Sequence, residues 1–290
     1  MQDLLTLTQP PHALEGAWRG SGRLPWHLEL LEETGSTNRV AAERGAQGKP
    51  EGWLVVADRQ TAGRGRLSRS WYSPAGLNLY LSILLRPSLN PRELPWLSFL
   101  AALAVRETAE RLGVPAGVKW PNDVLTPDHR KLSGVLSEAR FEGSRVEQVV
   151  VGIGINVNAH FEDAPAEVAQ RATSLSLLRG QPCSRAEVLL WLLEGFERRY
   201  TTLQRRGSAE LLAELEQQCL TLGQPVTYES PAGVQRGKAL RIDDEGALWI
   251  QPPVGAPTRV TAGDVQLVEA VAGTETPLTD FIPPHPVQAQ

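Results

Sequence analysis

Residues 56–71, Val-Ala-Asp-Arg-Gln-Thr-Ala-Gly-Arg-Gly-Arg-Leu-Ser-Arg-Ser-Trp, constrain this chain more than any other stretch. An apolar run at 53–57 precedes them and another at 77–85 follows. Both runs are rich in branched and aromatic residues and read as strands. The segment between them is therefore a loop, too long for a simple hairpin, and a loop of that length is usually functional or disordered. Gly63 and Gly65 break it, and Arg59, Arg64, Arg66 and Arg69 charge it. Glycine lets backbone amides approach an anion, and arginine forks onto carboxylate or phosphate. The composition suits an anion clamp, and it equally suits a solvated basic loop.

The rest of the chain narrows the choice. Its formal net charge is −4, so no global field draws it to nucleic acid or an anionic membrane. A basic loop on an acidic protein favours a small anionic ligand over a long polyanion. At 290 residues the length suits one large domain with a small one attached. Cys183 and Cys219 show no metal-type spacing and read as reduced thiols of a cytoplasmic protein. The N-terminus lacks the pattern of a signal peptide, and no apolar run reaches the length of a membrane span.

Residues 1–25, with Pro10-Pro11, read as a leader too short for a winged helix-turn-helix, so DNA binding is not expected. Trp26–Leu31 reads as a strand, and Ser36-Thr37-Asn38 as the capped start of a short helix closed by Gly45. Apolar residues at helical spacing from Leu94 to Leu112, closed by Gly113, predict a helix lying on a sheet. Short pieces between 117 and 158, joined by tight turns, predict antiparallel strands. Gly152-Ile153-Gly154 lacks the third glycine and following helix of a dinucleotide fingerprint. Residues 159–171 read as a polar loop, Ser184-Arg185-Ala186-Glu187 opens a helix to about residue 200, and a second covers about 208–220. From Gly223 to Val268 short alternating strands predict a five-stranded SH3-like barrel, and the proline-bearing tail 269–290 is expected to be disordered.

Five segments place polar residues or glycine where predicted strands end: Glu33-Thr34-Gly35-Ser36-Thr37-Asn38, Gln60-Thr61-Ala62-Gly63-Arg64-Gly65-Arg66, Lys119-Trp120-Pro121-Asn122-Asp123, Lys131-Leu132-Ser133-Gly134 and Gly152-Ile153-Gly154-Ile155-Asn156-Val157-Asn158. Singly, each has an ordinary reading as a cap, a turn or a surface lysine. In this order they resemble the biotin protein ligase family over roughly residues 26–268. The resemblance implies an α+β catalytic domain of the class II aminoacyl-tRNA synthetase and biotin ligase type over 26–222. A mixed, largely antiparallel sheet packs there with helices, and the small barrel occupies 223–268. It also implies the reaction: biotin and ATP give biotinyl-5′-AMP with Mg2+, and biotin then passes to a lysine of a biotin carboxyl carrier protein or domain.

By residue, the resemblance assigns Ser36, Thr37 and Gln60 to the biotin ureido head, Asn38 and Gly134 to biotin binding, and the amides of Gly63 and Gly65 to the biotin carboxylate and α-phosphate. Arg64, Arg66 and Lys131 fall to the reacting carboxylate and α-phosphate as the catalytic groups. Trp71, Lys119, Asn122 and Asn156 fall to ATP, and Asp123 to a magnesium water or the incoming lysine amine. The chain departs from the family at Ser68, where glycine is usual, and at Val268, where arginine often follows the leucine. Monomer and homodimer both stay open, as do a lipoate ligase and a non-catalytic biotin sensor as rival readings. Lys131 and the complete 119–123 motif count against the sensor.

Overall fold

The computed structural model describes residues 24–230, 233–261, 263 and 265–268. The predicted leader, apart from residues 24 and 25, and the predicted disordered tail lie outside them. The chain runs β1 (His27–Thr34), α1 (Thr37–Ala46), β2 (Trp53–Gln60), β3 (Leu79–Leu85), α2 (Pro95–Arg111), β4 (Gly117–Lys119), β5 (Asp123–Leu125), β6 (Lys131–Glu142) and β7 (Arg145–Ile155). Two short helices follow within and after the predicted polar loop, α3 (Ala166–Ala169) and α4 (Leu175–Arg179), and then α5 (Arg185–Arg206) and α6 (Ala209–Gln218). Five strands close the chain: β8 (Pro225–Ser230), β9 (Gly233–Ile242), β10 (Leu248–Gln251), β11 (Thr258–Val260) and β12 (Val265–Leu267).

Seven strands form the main sheet in the order β1-β2-β3-β7-β6-β5-β4. Only β1 and β2 pair in parallel; the other neighbours are antiparallel, those between 117 and 158 as their tight turns predict. Alternation along each strand gives the sheet two different faces. Leu54, Val56, Leu81, Ile83, Val151 and Ile153 point into the main core. Val55, Leu84 and Val150 point the other way, into a small cluster with Ala41 of α1. One face therefore carries the stability, and the face under α1 is left for something else.

Helix α2 lies on the main-core face, but it is not the one-sided amphipathic helix that its spacing suggests. Trp96, Leu97, Phe99, Leu100, Leu103 and Val105, with intervening alanines, are all buried. The sheet covers one side and α5 the other, and α5 runs on past the predicted residue 200 until Gly207 ends it. Polar groups between the helices are paired. Arg199 Nη1 reaches Glu107 Oε2 at 2.7 Å, Arg198 joins the same carboxylate, and Arg111 reaches its other oxygen at 3.0 Å. The second, antiparallel sheet, β11-β10-β9-β8-β12, matches the predicted five strands. Its β9–β10 turn is tied to the main unit: Trp96 Nε1 donates to Asp244 O at 2.7 Å and Trp120 Nε1 to Gly246 O at 3.0 Å.

Burial alone would raise the Glu107 carboxyl, but the hydrogen bonds and charges of Arg199 and Arg198 outweigh it and bring it down to about 2. A carboxyl depressed in the folded state stabilises above its unfolded value and loses that contribution as pH falls through its folded value. The window here runs from about pH 5 to about pH 2. We expect urea unfolding to show Glu107→Gln losing about 2–3 kcal/mol less stability than the wild type over that window. Equal losses in the two proteins would show that the arginine cluster does not couple to folding.

Candidate active site

The sheet face under α1 is built in rows. Val55, Ser82, Gly152 and Leu136 lie side by side across β2, β3, β7 and β6. The next row holds Ala57, Tyr80, Gly154, Gly134 and Asp123. Three glycines therefore hollow the middle of an otherwise bulky sheet, which explains the interrupted apolar strand in the sequence. The hollow is needed. A Cβ on Gly152 would sit 1.9 Å from Asn38 Oδ1, and one on Gly154 would sit 2.5 Å from the Trp71 ring. The Gly152-Ile153-Gly154 run serves close packing on a floor, not a dinucleotide turn.

Helix α1 begins at the wall of this hollow. Ser36 stands at its N-cap position, yet its hydroxyl caps nothing. It lines the cleft instead, together with Thr37, Asn38, Gln60, Arg64, Trp71, Asn122, Asp123, Lys131 and Gly134. Thr37 N and Oγ1 both donate to Gln60 Oε1, at 2.9 and 3.1 Å. Gln60 Nε2 donates to Ser73 Oγ at 3.1 Å, which donates to Trp71 O at 2.9 Å. The Asn38 amide nitrogen is committed to Leu136 O and to Glu138 Oε2, at 3.1 and 2.7 Å. Asn38 thus reaches the cleft but is held by its floor.

The basic loop is a small folded flap. Thr61 and Ala62 continue the β1–β2 pairing by donating to Thr34 O and Gly35 O, both at 2.9 Å. Beyond them Trp71 N donates to Gly63 O at 2.9 Å, Arg64 bridges Ser70, and Gly65 N donates to Arg69 O at 2.7 Å. At the tip Leu67 and Ser68 take φ of 53° and 60°, the left-handed region. That conformation costs a side-chain-bearing residue about 1–2 kcal/mol, which gives a reason for glycine being usual where Ser68 stands. Gly63 and Gly65 shape the flap without lining the cleft.

Lys131 and Arg66 stand at the end of the cleft near β5, and Arg64 stands towards α1, on the carboxylate that also holds Asn38. Lys131 Nζ pairs with Asp123 Oδ1 at 2.8 Å and stands 5.4 Å from the centre of the Trp71 ring. Arg66 reaches Asn122 Oδ1 at 3.1 Å and Gly263 O, in the loop before β12, at 3.3 Å. Arg64 reaches Glu138 at 2.7 Å. Asn156 lies just behind, its amide nitrogen donating to Lys131 O at 3.2 Å. Lys119, on edge strand β4, pairs in register with Asp123 but does not line the cleft. The free space is about 50 Å3, far below the roughly 300 Å3 of an ordinary ligand pocket. Ser82, Ser73 and Glu138 went unnoticed in the sequence because a serine in an apolar strand and a glutamate on a surface strand carry no local signal.

A hollowed, largely antiparallel sheet whose cleft combines uncharged polar groups with lysine and arginine suits an anionic ligand with a polar head, and comparison with known proteins places the chain in the class of biotin and lipoate ligases. Residues 30–156 match the model of the biotin/lipoate A/B protein ligase family, and residues 221–268 that of the biotin protein ligase C-terminal domain. The biotin–[acetyl-CoA-carboxylase] ligase of Mycobacterium tuberculosis is 38% identical over 257 residues, covering 85% of this chain and 90% of that protein. The bifunctional ligase/repressor BirA of Bacillus subtilis is 39% identical over 242 residues, 83% of this chain and 74% of that one. A structure of the Aquifex aeolicus biotin protein ligase in complex with biotin and ATP superposes with a TM-score of 0.69 at 34% identity, over 83% of this chain and 98% of that one. The chain belongs to the biotin protein ligase family.

The glycine floor can be tested directly. Alanine for glycine within a strand ordinarily gains about 0.5–1 kcal/mol. Gly152→Ala should instead lose about 1–3 kcal/mol by overpacking against Asn38, and should weaken biotin binding. Urea unfolding and calorimetry read the two effects. A net gain in stability would show that Asn38 can yield and that the floor is not fixed.

Proposed function

We infer that this chain, as a biotin protein ligase, activates biotin with ATP and passes it to a lysine of a biotin carboxyl carrier protein or domain. In the first step a biotin carboxylate oxygen bonds to the α-phosphorus, the bond from that phosphorus to the bridging oxygen breaks, and pyrophosphate leaves. In the second the lysine nitrogen attacks the acyl carbon of biotinyl-AMP, AMP leaves, and the amine gives up a proton. The observation that carries this reading is the polarity of the cleft: an uncommitted Ser36 hydroxyl at one end, and Lys131 with Arg66 of the flap at the other.

Ser36 donates to the ureido carbonyl, and Thr37 with Gln60 meets the ureido N–H groups. Trp71, which lines the cleft, flanks the apolar rings over the strand backbone of the floor. Two anions that approach one another repel, so counter-charge fixed in a water-poor cleft lowers the barrier. Arg64, Arg66 and Lys131 supply it, each exchanging its present partner for a ligand oxygen. When Lys131 turns to the phosphate, Asp123 is released. It is the carboxylate among the cleft-lining residues, and it is suited to a magnesium-bound water or to the incoming amine. Among the described residues no acidic cluster is built to hold a metal by itself. Mg2+ fits as an ion carried in by the phosphates, which is how it usually binds, and it would neutralise charge on them. Asn122, Asn156, Trp71 and Lys119 surround the nucleotide. No helix of the described residues is long and apolar enough to cross a membrane. The free thiols Cys183 and Cys219 suit the cytoplasm, where ATP and the carrier are found.

Biotin-dependent exchange of pyrophosphate into ATP tests the reading. Exchange with lipoate in place of biotin would overturn it, and so would biotin binding without exchange. Lys131→Ala should lower adenylation by about 10²- to 10³-fold, the effect of removing one such donor, while biotin affinity falls less. Should calorimetry find biotin affinity lost while adenylation at saturating biotin is near wild type, Lys131 is a binding residue rather than a catalytic one.

A further inference from the structure

Arg66 carries the flap across to the small barrel. Its Nη1 donates to Asn122 Oδ1 at 3.1 Å and its Nη2 to Gly263 O at 3.3 Å, so one planar guanidinium bridges the main sheet and the loop before β12. Both acceptors are fixed by their own neighbours. Asn122 Nδ2 donates to Val135 O at 2.6 Å and Val135 N donates to Asn122 O at 2.9 Å, which leaves Oδ1 for the arginine. On the other side the barrel is seated on the main unit through its β9–β10 turn, where Trp96 and Trp120 donate to Asp244 O and Gly246 O. A Cβ on Gly246 would sit 2.7 Å from the Phe99 ring of α2, so that seat is close.

Gly263 is a glycine for its backbone and not for its packing. A Cβ there would meet nothing within 4 Å, so no neighbour demands a small residue. Its φ is 120°, however, a value that residues with a side chain rarely adopt. Two residues later Val265 is buried and paired with Tyr228 of β8, which fixes where the loop ends. The unusual φ thus sets the direction of the 263 carbonyl, and that carbonyl faces Arg66.

We propose that Gly263 is a positioning residue for the first reaction step, whose carbonyl holds the Arg66 guanidinium at the end of the cleft near β5. Arg66 is read above as a group that meets the reacting carboxylate and α-phosphate, and the role of Gly263 rests on that reading. An arginine side chain has several rotatable bonds, and a charge free to swing stabilises a transition state less than one already in place. With Nη2 kept on Gly263 O, Nη1 can leave Asn122 for a ligand oxygen while the guanidinium keeps its place. The barrel thereby takes part in adenylation through a backbone atom. If Gly263 only turned the chain into β12, its substitution would act on the barrel itself and independently of Arg66.

A double-mutant cycle on the full chain separates the two. Biotin-dependent pyrophosphate exchange at saturating ATP and biotin gives the adenylation rate, and calorimetry gives biotin affinity. Gly263→Ala puts its side chain into open space but disfavours the positive φ, and so turns the carbonyl away. It should lower the adenylation rate about tenfold, the effect of losing one hydrogen bond to a charged group, with biotin affinity within about twofold of wild type. Arg66→Ala should lower the rate about 10²-fold, and Gly263→Ala added to it should cause no further fall. Gly263→Asn, which tolerates positive φ better than alanine, should lose less and serves if the alanine variant does not fold. An unchanged adenylation rate in a folded Gly263 variant overturns the proposal, and so does a loss confined to biotin affinity or an equal fall in the Arg66→Ala background. Adenylation untouched by Arg66→Ala would instead overturn the reading of Arg66, and no exchange in the wild type would overturn the ligase reading itself.

Discussion

The close approach of other groups to the backbone of β7 governs the rest of this site. Where Gly152 and Gly154 remove side chains from the middle strand, α1 and the flap can descend onto the sheet. That descent brings Thr37 next to Gln60 and Ser82, and Trp71 next to Lys131. Elsewhere the sheet is packed to ordinary density by large aliphatic residues on the opposite face. The two faces divide the work: one holds the fold, and the other gives up burial so that polar groups can lie close together.

The charged groups of the cleft are arranged for exchange. Lys131 rests on Asp123 and Arg64 on Glu138, and these pairs are partly open to solvent. Exposed ion pairs contribute at most about 1 kcal/mol, so an incoming carboxylate or phosphate displaces them at small cost. The pairs between α2 and α5 are of another kind. Arg199 is almost wholly enclosed and holds Glu107 and Glu214 together. Breaking a buried pair leaves a charge without compensation and costs several kcal/mol. The same two residue types thus make a fixed joint in one place and a replaceable contact in another, according to solvent access.

Much of this was legible in the sequence. The strands flanking the flap, the antiparallel hairpins from 117 to 158 and the five strands after Gly223 all follow from periodicity and turn residues. The order of the polar segments brought Ser36, Thr37, Gln60, Arg64, Asn122, Asp123, Lys131 and Gly134 to one cleft. Ser36 is more telling: its local pattern says helix cap, and its hydroxyl does not cap. What stayed hidden depends on registry across strands. Ser82 matters because it lies beside Gly152 and beneath Thr37, residues far away in the chain. Helix α2 showed an apolar stripe but not that α5 would cover its other side, since one helix's pattern does not name its neighbours.

The flap's internal hydrogen bonds bear on what it costs to order its arginines. A coil of about ten residues that ordered only over bound ligand would give up roughly 10–20 kcal/mol of backbone entropy. Here the bonds from Trp71 to Gly63 and from Gly65 to Arg69 have fixed much of that shape already. Thr61 and Ala62, paired to β1, anchor the flap at its base. The arginines are thus held on one preassembled unit, and most of the free energy of ligand binding is left for the ligand itself.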